Sequence, residues 1–271
     1  MRLEDMLLDH FDTVSKMYLR KLVKTGECEV NGRDENVGYR LRANDFVEIK
    51  VDHTRGTAMR GEDIAIDILH EDSDIIVVVK AHGMLMHPSH RDNSGTLLNA
   101  LVAHTNKDND GNVIRPGLVH RLDKDTSGIV LVAKNPRAHR ILSGQFMKRT
   151  VEKRYLALVI GDVTGDSGKI VAPIGRFEDE KQWGVKDDGK YAETNFSVID
   201  RGKDKTLLEL EPVTGRTNQL RIHAMHVGHP IIGDTKRGGG EGPRLCLHAC
   251  KLSFNHPETR ERMVFESRIE F

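Results

Sequence analysis

Short apolar runs of strand length recur along most of this chain, and they constrain its fold more than any other feature. IIVVVK (75–80) and IVLVAK (129–134) are continuous apolar runs, which are typical of strands buried on both faces. Further strands are predicted at 64–69, 155–161, 191–200, 206–213, 245–254 and 262–271. Because strands outnumber helices and do not alternate regularly with them, the sequence predicts an α+β fold with a mixed, mostly antiparallel sheet.

Helical segments are fewer, and some carry recognisable end signals. A helix is predicted at 96–105, and another begins at Asn135, a cap residue followed by a proline, and runs to about Met147. A third is predicted at 217–227, where Gly228 ends it. No apolar stretch approaches the roughly 18 residues that a membrane-spanning helix needs, so we expect no membrane segment.

The overall charge does not indicate a partner, because Lys plus Arg and Asp plus Glu both number 41. A neutral total can still hide local basic surfaces, so only the distribution of charge is informative. The cysteines, Cys28, Cys246 and Cys250, do not suggest a disulfide framework and are expected to be reduced. The N-terminal apolar segment contains acidic residues and resembles no secretory signal, so we expect a cytoplasmic protein.

The first 52 residues are predicted to form a compact unit of two helices followed by short strands. The first helix begins near Leu3, and the second is capped by Ser15 and ended by Gly26. Four basic residues lie on the second helix, namely Lys16, Arg20, Lys21 and Lys24. For a helix taken alone, a solvated surface is the more common explanation of such a basic stripe.

The segment KLVKTGECEVNGRDENVGYRLRANDFVEI, which begins at Lys21, resembles the alpha-L RNA-binding motif first described in a small-subunit ribosomal protein. That motif places two short helices against a small sheet and presents a basic face to structured RNA. The resemblance implies an RNA-binding domain over residues 1–52, with the four basic residues of the second helix as candidates for phosphate contacts. Residues 53–62 are predicted as a linker, and the larger domain is expected to span 63–271.

A group of polar residues directly precedes the apolar run 129–134. The stretch HRLDKDTSG (120–128) contains five charged or titratable side chains, which are His120, Arg121, Asp123, Lys124 and Asp125. Polar residues on a loop held by a rigid strand are where functional sites tend to lie. From the residues alone, an ion-paired surface loop is the competing interpretation.

HRLDKDTSG is similar, residue for residue, to the signature of the pseudouridine synthase family that includes RluA, RluC and RluD. The aspartate after Arg-Leu is the catalytic one in that signature, so the resemblance implies Asp123 as the nucleophile. KRYLALVIG (153–161) resembles the family's strand that carries an active-site tyrosine, here Tyr155. GRTNQLRIH (215–223) resembles the segment whose second arginine pairs with the catalytic aspartate, here Arg221. Together with further matches at 83–101 and 247–259, the resemblance spans residues 70–271.

Two positions depart from the family pattern. Asn218 stands where the family usually has histidine, and Lys236 and Arg237 stand where many members have an aromatic residue. These departures leave the contacts to the nucleobase and to the RNA loop open. Arg121 and Arg216, which lie inside matching segments, are further candidates for phosphate contacts.

The chemistry that the resemblance implies requires these residue types. Isomerisation breaks the bond from ribose to the ring nitrogen, turns the base and joins its carbon 5 to the sugar, so no metal or other cofactor is expected. A carboxylate such as Asp123 is a nucleophile only when ionised, and an arginine within about 4–6 Å would lower its pKa. A base inside a helix must first be flipped out, and Tyr155 could then stack on it. Attack on the sugar, attack on the ring and proton transfer by Asp123 all stay open.

Other functions compete with this interpretation. A non-catalytic RNA-binding assembly factor would show a damaged aspartate, arginine or tyrosine, but all three are intact. A glycosidase or nucleotide hydrolase would need paired carboxylates, and Asp123 and Asp125 lie in one short motif with no second acidic motif nearby. A metal site built from His223, His226 and His229 lacks a cysteine or acidic partner. We therefore expect a monomeric pseudouridine synthase that acts on structured RNA, with large-subunit ribosomal RNA as the first candidate and transfer RNA as the second.

Overall fold

The computed structural model describes residues 1–11, 14, 16–52, 60–88, 94–107, 114–178 and 182–271. The expected cap Ser15 and most of the predicted linker therefore lie outside the described residues. Within the described ranges, no helix is long and apolar enough to cross a membrane.

Helices and strands are distributed along the whole chain. The α-helices are α1 (Leu3–His10), α2 (Lys16–Lys24), α3 (Leu97–Thr105), α4 (Pro136–Met147) and α5 (Gln219–His226). The strands of the first half are β1 (Cys28–Val30), β2 (Arg33–Asp34), β3 (Val47–Ile49), β4 (Asp67–Glu71), β5 (Ile75–Lys80), β6 (Gly117–Leu118) and β7 (Ser127–Ala133). Those of the second half are β8 (Glu152–Ile160), β9 (Ser167–Val171), β10 (Ile174–Phe177), β11 (Gln182–Val185), β12 (Glu193–Gly202), β13 (Lys205–Pro212), β14 (Leu247–Asn255) and β15 (Arg262–Glu266).

One large sheet organises the chain after the N-terminal unit. Its ten strands in the described ranges follow the order β4-β5-β7-β14-β8-β13-β12-β9, with β15 paired to β14 and β6 paired to β7. β7 and β14 run parallel, and the other pairings in this sheet are antiparallel. The predicted α+β fold with a mixed, mostly antiparallel sheet is confirmed.

The apolar runs of β5 and β7 are explained by burial on both faces. Successive side chains of a strand point to opposite faces of the sheet. One face packs against α4, through a cluster that includes Ile75, Val77, Ile129, Leu131, Ala138 and Leu142. The other packs against α3, through a cluster that includes Ile76, Val78, Val130, Val132, Leu97 and Leu101. With helices on both faces, neither strand has a polar side.

The predicted cap of α4 is confirmed by a hydrogen bond. The Asn135 side chain accepts the backbone N–H of Ala138 at 2.8 Å, and Pro136 takes the first position of the helix. A proline loses nothing there, because the first N–H groups of a helix have no partner within the helix. This cap fixes the residue at which α4 begins. It thereby also positions the C-terminal end of α4, which precedes β8.

The N-terminal unit has its own small sheet, with the strand order β2-β1-β3. Its core packs α1 and α2 against this sheet, through a cluster that includes Leu3, Leu7, Leu19, Val23, Cys28 and Val30. The domain boundaries stay a prediction. At the end of the predicted linker, the Asn99 side chain of α3 donates to the carbonyl of Arg60 at 2.8 Å, and the Glu62 N–H donates to the carbonyl of Asn99 at 3.0 Å.

The sequence analysis did not identify β9, β10 and β11. β10 and β11 form a two-stranded antiparallel hairpin that packs on α5, through Ile174, Val185, Ala192 and Ile222. The hairpin therefore supports the helix that carries Arg221.

Candidate active site

An open cleft of about 610 Å³ brings together residues that are far apart in sequence. Its walls are the loop before β7, the end of α4 with the start of β8, the end of β13, and the start of α5. Asp123, Tyr155 and Arg221, predicted from three separate motifs, all line it, as do Arg121 and Arg216. Its volume lies within the range typical of ligand sites. The four basic residues predicted on α2 do not line this cleft.

The loop that carries Asp123 is held at its start and at its end. The backbone N–H of Thr126 donates to the Asp123 carbonyl at 3.2 Å, which closes a tight turn. Gly128 then enters β7 with φ +120°, and a Cβ there would lie 2.4 Å from the Ala249 carbonyl oxygen. Only glycine allows this approach of β7 to β14. The Asp123 side chain keeps 29% of its surface exposed and faces the cleft.

Lys80, at the end of β5, holds the loop that carries Asp123 through hydrogen bonds from the protein interior. Its side chain is almost fully buried, at 1% exposure. Its ammonium donates to three backbone carbonyl oxygens at 2.8–3.0 Å, those of Met84, Ala81 and Lys124. Burial lowers the pKa of Lys80 to about 8, although the charges of Asp125 and Asp123 oppose the fall. Lys80 therefore stays mostly charged at neutral pH.

Arg221 is held chiefly by a carboxylate that the sequence analysis did not single out. Its Nε and Nη2 donate to the two oxygens of Asp234 at 2.7 and 2.8 Å. The remaining nitrogen, Nη1, lies 3.8 Å from Oδ2 of Asp123, an ion-pair distance. Asp234 is buried, with 1% side-chain exposure. A bidentate pair fixes the plane of the guanidinium, so Asp234 directs Nη1 towards Asp123.

The positions that depart from the family pattern lie beside this pair. Oδ1 of Asn218 accepts a hydrogen bond from Nη1 of Arg221 at 3.3 Å. Nη1 of Arg237 lies 3.9 Å from Asp234, so the buried carboxylate faces two guanidinium groups. Burial lowers the pKa of Arg221, but the hydrogen bonds with Asp234 and the surrounding carboxylate charges outweigh it and raise that pKa.

A chain of buried hydrogen bonds fixes α5, and with it Arg221. The Thr214 hydroxyl donates to Oε1 of Gln219 at 2.7 Å, and Nε2 of Gln219 donates to the Thr194 hydroxyl at 3.0 Å. That hydroxyl lies 2.9 Å from Nδ1 of His223, and Nε2 of His223 lies 3.0 Å from the Ala172 carbonyl. Since a carbonyl only accepts, Nε2 carries the proton and Nδ1 accepts from Thr194.

Tyr155 occupies β8, on the floor of the cleft. Tyr155 packs against two clusters of the hydrophobic core, so the core holds its ring in place. Burial raises the pKa of its phenol, and the charges of Asp123 and Cys250 raise it further. The neutral phenol is therefore the form present at neutral pH. It can stack or donate a hydrogen bond, but it is not a base.

His120 is a structural residue of the cleft wall. Its Nε2 accepts the backbone N–H of Leu131 at 2.9 Å, and its ring stacks on Phe146 with centroids 4.7 Å apart. Burial lowers the pKa of His120 to about 3, and the charge of Lys153 contributes. The neutral ring thus ties the loop that carries Asp123 to β7.

Among the described residues, one group has the spacing of metal ligands, namely Asp72, Asp74 and His256. Oδ1 of Asp72 accepts the N–H groups of Asp74 and Ile75, and Oδ2 lies 3.1 Å from Nε2 of His256. These contacts stabilise the turn between β4 and β5. His223 uses both ring nitrogens inside the protein, and Nδ1 of His229 lies 2.9 Å from the Ile160 carbonyl.

A family model described as RNA pseudouridylate synthase matches residues 74–226, which contain Asp123, Tyr155 and Arg221. The chain belongs to this family. Its members are isomerases that convert uridine in RNA to pseudouridine.

Curated relatives match this family member over nearly its whole length. An uncharacterized RNA pseudouridine synthase, YlyB of Bacillus subtilis, is 40% identical over 99% of this chain and 90% of its own. The ribosomal large subunit pseudouridine synthase D of Pseudomonas aeruginosa is 36% identical over 99% of this chain and 88% of its own. Among solved structures, human RNA pseudouridylate synthase domain containing 1 aligns with a TM-score of 0.63 and 25% identity. That alignment covers 77% of this chain and 85% of the human one.

Sequence reasoning missed three parts of this site: Lys80, Asp234, and the buried chain that ends at His223. Lys80 ends an apolar run, and a lysine at the end of a buried strand is usually interpreted as a solvated terminus. Asp234 lies 13 positions after Arg221, in a segment without periodicity. Its place in the segment GDTKRG, directly before the two departing basic residues, was the one available signal.

Proposed function

We propose that this chain isomerises uridines in large-subunit ribosomal RNA, with Asp123 as the nucleophile. This proposal rests on one observation: a single cleft contains Asp123, Tyr155 and Arg221. In it, the carboxylate of Asp123 lies 3.8 Å from the guanidinium of Arg221. The ribosomal substrate is supported by the relatives named for the large ribosomal subunit. Transfer RNA is the second candidate. We further propose that the enzyme acts as a monomer in the cytoplasm.

The site residues have distinct proposed roles. Asp123 is the proposed nucleophile, and Arg221 holds its carboxylate in place and stabilises its negative charge. Tyr155 stacks against the flipped base, because its ring is anchored in the core and its phenol is neutral. Arg121 and Arg216 contact phosphates at the mouth of the cleft. The Arg216 side chain is positioned for this by a hydrogen bond to the Tyr191 carbonyl at 2.9 Å.

Tritium release tests the reaction, because isomerisation replaces the hydrogen at carbon 5 of the uracil ring. RNA carrying uridine tritiated at carbon 5 would be supplied as large-subunit rRNA transcripts, tRNA transcripts and large ribosomal subunits. We expect release by the wild type and roughly a 1000-fold slower release by Asp123→Asn, as is typical when a nucleophile is removed. The matched control is Asp204→Asn, an exposed carboxylate in the turn between β12 and β13.

The other outcomes each reject part of the proposal. Equal release by Asp123→Asn would keep the enzyme and discard Asp123 as the nucleophile. Release from tRNA alone would discard the ribosomal substrate. If the wild type binds RNA tightly but releases no tritium from any of the three substrates, the RNA-binding assembly factor becomes the better explanation.

A further inference from the structure

Two cations on one wall of the cleft have no ion-pair partner among the described residues. Lys153 lies on β8 two residues before Tyr155, and Arg149 follows the end of α4. Both line the cleft. Within the part of the chain that the structure describes, neither side chain makes a hydrogen bond or an ion pair.

Several other cations near the cleft are partnered, whereas the side chain of Arg121, which also lines it, is exposed to solvent. Lys80 has its three carbonyl oxygens, Arg221 has Asp234, and Arg154 lies 3.2 Å from Glu211. Partly buried charges are normally paired in this way, since losing water without a partner costs free energy. Lys153 is partly buried, so its lack of a partner needs an explanation.

The two cations also disfavour each other. Burial lowers the pKa of Lys153, and the charge of Arg149 lowers it further. The neighbouring His120 provides no compensation, because its Nε2 already accepts the N–H of Leu131. Two like charges near one another in an open cleft form a ready site for an anion.

The backbone of Arg149 is also in an unfavourable conformation. Arg149 has φ +58°, a left-handed conformation that costs a residue other than glycine about 1–2 kcal/mol. Its N–H donates to the Phe146 carbonyl at 3.2 Å, and the next N–H, of Thr150, donates to the Gln145 carbonyl at 3.0 Å. Glycine or asparagine would end α4 at lower cost. An arginine here keeps a guanidinium at the wall of the cleft.

We propose that Lys153 and Arg149 form a binding site for an RNA backbone phosphate that flanks the target uridine. This inference rests on the proposed function. The uracil base carries no charge, so the anion that such a substrate brings into the cleft is its phosphodiester. Lysine and arginine both bind phosphates through charge-assisted hydrogen bonds. Because Lys153 and Tyr155 are close on the same strand, the phosphate would hold the backbone beside the flipped base.

Salt-dependent binding tests this site, with large-subunit rRNA transcript as the probe. Lys153→Met should lower the slope of log affinity against log salt by roughly 0.7–0.9, the value for one phosphate contact. KM should rise about tenfold with a smaller change in kcat, because the contact is present before the transition state. Lys153→Arg should restore the slope. The control, Lys148→Met, removes an exposed neighbouring lysine that does not line the cleft.

A purely structural role for Lys153 predicts a different pattern. If Lys153 served stability, Lys153→Met would lower the melting temperature. We expect an unchanged or higher melting temperature for the free protein, because the substitution removes a partly buried charge without a partner. A lower melting temperature with an unchanged salt slope would overturn the proposal.

Neutral phosphate analogues identify the ligand directly. A short RNA containing a uridine mapped with the wild type would carry a methylphosphonate on either side of it. One of the two replacements should weaken binding to the wild type about tenfold and have little further effect on Lys153→Met. If the losses of binding caused by the methylphosphonate and by Lys153→Met were fully additive, the proposed phosphate site would be overturned. Failure of the proposed function would be seen separately, as no tritium release by the wild type.

Discussion

At the scale of single residues, the guanidinium of Arg221 is divided unequally between two carboxylates. The buried Asp234 takes the bidentate contact at 2.7 and 2.8 Å, whereas Asp123 has one nitrogen at 3.8 Å. The first contact is rigid and out of solvent, and the second is longer and open to the cleft. We interpret Asp234 as the residue that positions Arg221, which leaves Asp123 free to react.

This division predicts different consequences for the two aspartates. Asp234→Asn leaves a guanidinium with 11% exposure without its main counter-charge. Breaking a buried ion pair on one side typically costs about 3–5 kcal/mol. We expect the free energy of unfolding in urea to fall by about 3 kcal/mol for Asp234→Asn. Turnover should fall as well, because Nη1 is no longer directed at Asp123.

Asp123→Asn is the matched comparison, because it removes the other carboxylate of the same arginine. Its effect on the free energy of unfolding should stay within about 1 kcal/mol, as for partly exposed pairs. Equal destabilisation by the two substitutions would contradict the assignment of Asp234 as the structural partner.

The site could be predicted from the sequence only where the motifs were specific. Asp123, Tyr155 and Arg221 were found through the family resemblance, and the structure places all three in one cleft. Asp234 could not be found in this way, because its importance depends on burial against Arg221 and not on its neighbours in the chain. The same holds for Lys80, whose three carbonyl partners are visible only once the loops are folded.

At the scale of elements, three histidines join parts of the protein that carry the site: His223 and His248 are buried, and His120 is partly buried. His120 ties the loop that carries Asp123 to β7, and His223 ties α5 to the link between β9 and β10. His248 on β14 lies 2.7 Å from the Ser127 hydroxyl at the start of β7. Burial lowers the pKa of each, to about 3 for His120 and about 4 for His248. All three are therefore neutral in the folded protein.

These histidines predict that stability falls as the pH falls below about 6.5. In the unfolded chain each has a pKa near 6.5, so between roughly that value and the lower folded pKa only the unfolded chain gains a proton. Each histidine then removes up to about 1.4 kcal/mol of stability per pH unit. Urea unfolding between about pH 7 and pH 5 measures this slope. His120→Gln should reduce it by about one proton, and the exposed His10→Gln is the control.

Buried strands were predicted more accurately from the sequence than partly exposed ones. β5 matches its predicted span of 75–80, because burial on both faces leaves an uninterrupted apolar run. β9, β10 and β11 (SGKIV, IGRF and QWGV) were missed, because each is short, partly exposed and interrupted by glycine. Such strands are defined by their pairing partners, which one sequence does not display.

At the scale of the whole molecule, balanced total charge conceals two separate basic regions. One is the cleft wall with Lys153 and Arg149, and the other is the α2 stripe of four basic residues. In the stripe, Glu4 of α1 pairs with both Lys16 and Arg20, and Nε of Arg20 lies 2.9 Å from the carboxylate. Two of the four basic residues thus share one acid within the N-terminal unit, which offsets about half of their combined charge.

RNA binding by the N-terminal unit should therefore depend unequally on the four basic residues. Lys21 and Lys24 are exposed, and no ion pair or hydrogen bond of their side chains occurs among the described residues. We expect Lys21→Glu with Lys24→Glu to lower the salt slope of RNA binding by roughly 0.7–0.9 for each phosphate that the protein no longer neutralises. The same reversal of Lys16 and Arg20 should have a smaller effect, because Glu4 already offsets part of their charge. Filter binding of large-subunit rRNA transcripts from low to physiological salt compares the two pairs. Equal changes in the salt slope would show that Glu4 does not weaken RNA binding by Lys16 and Arg20. If neither pair of substitutions changed the slope, α2 would not be part of the RNA contact surface.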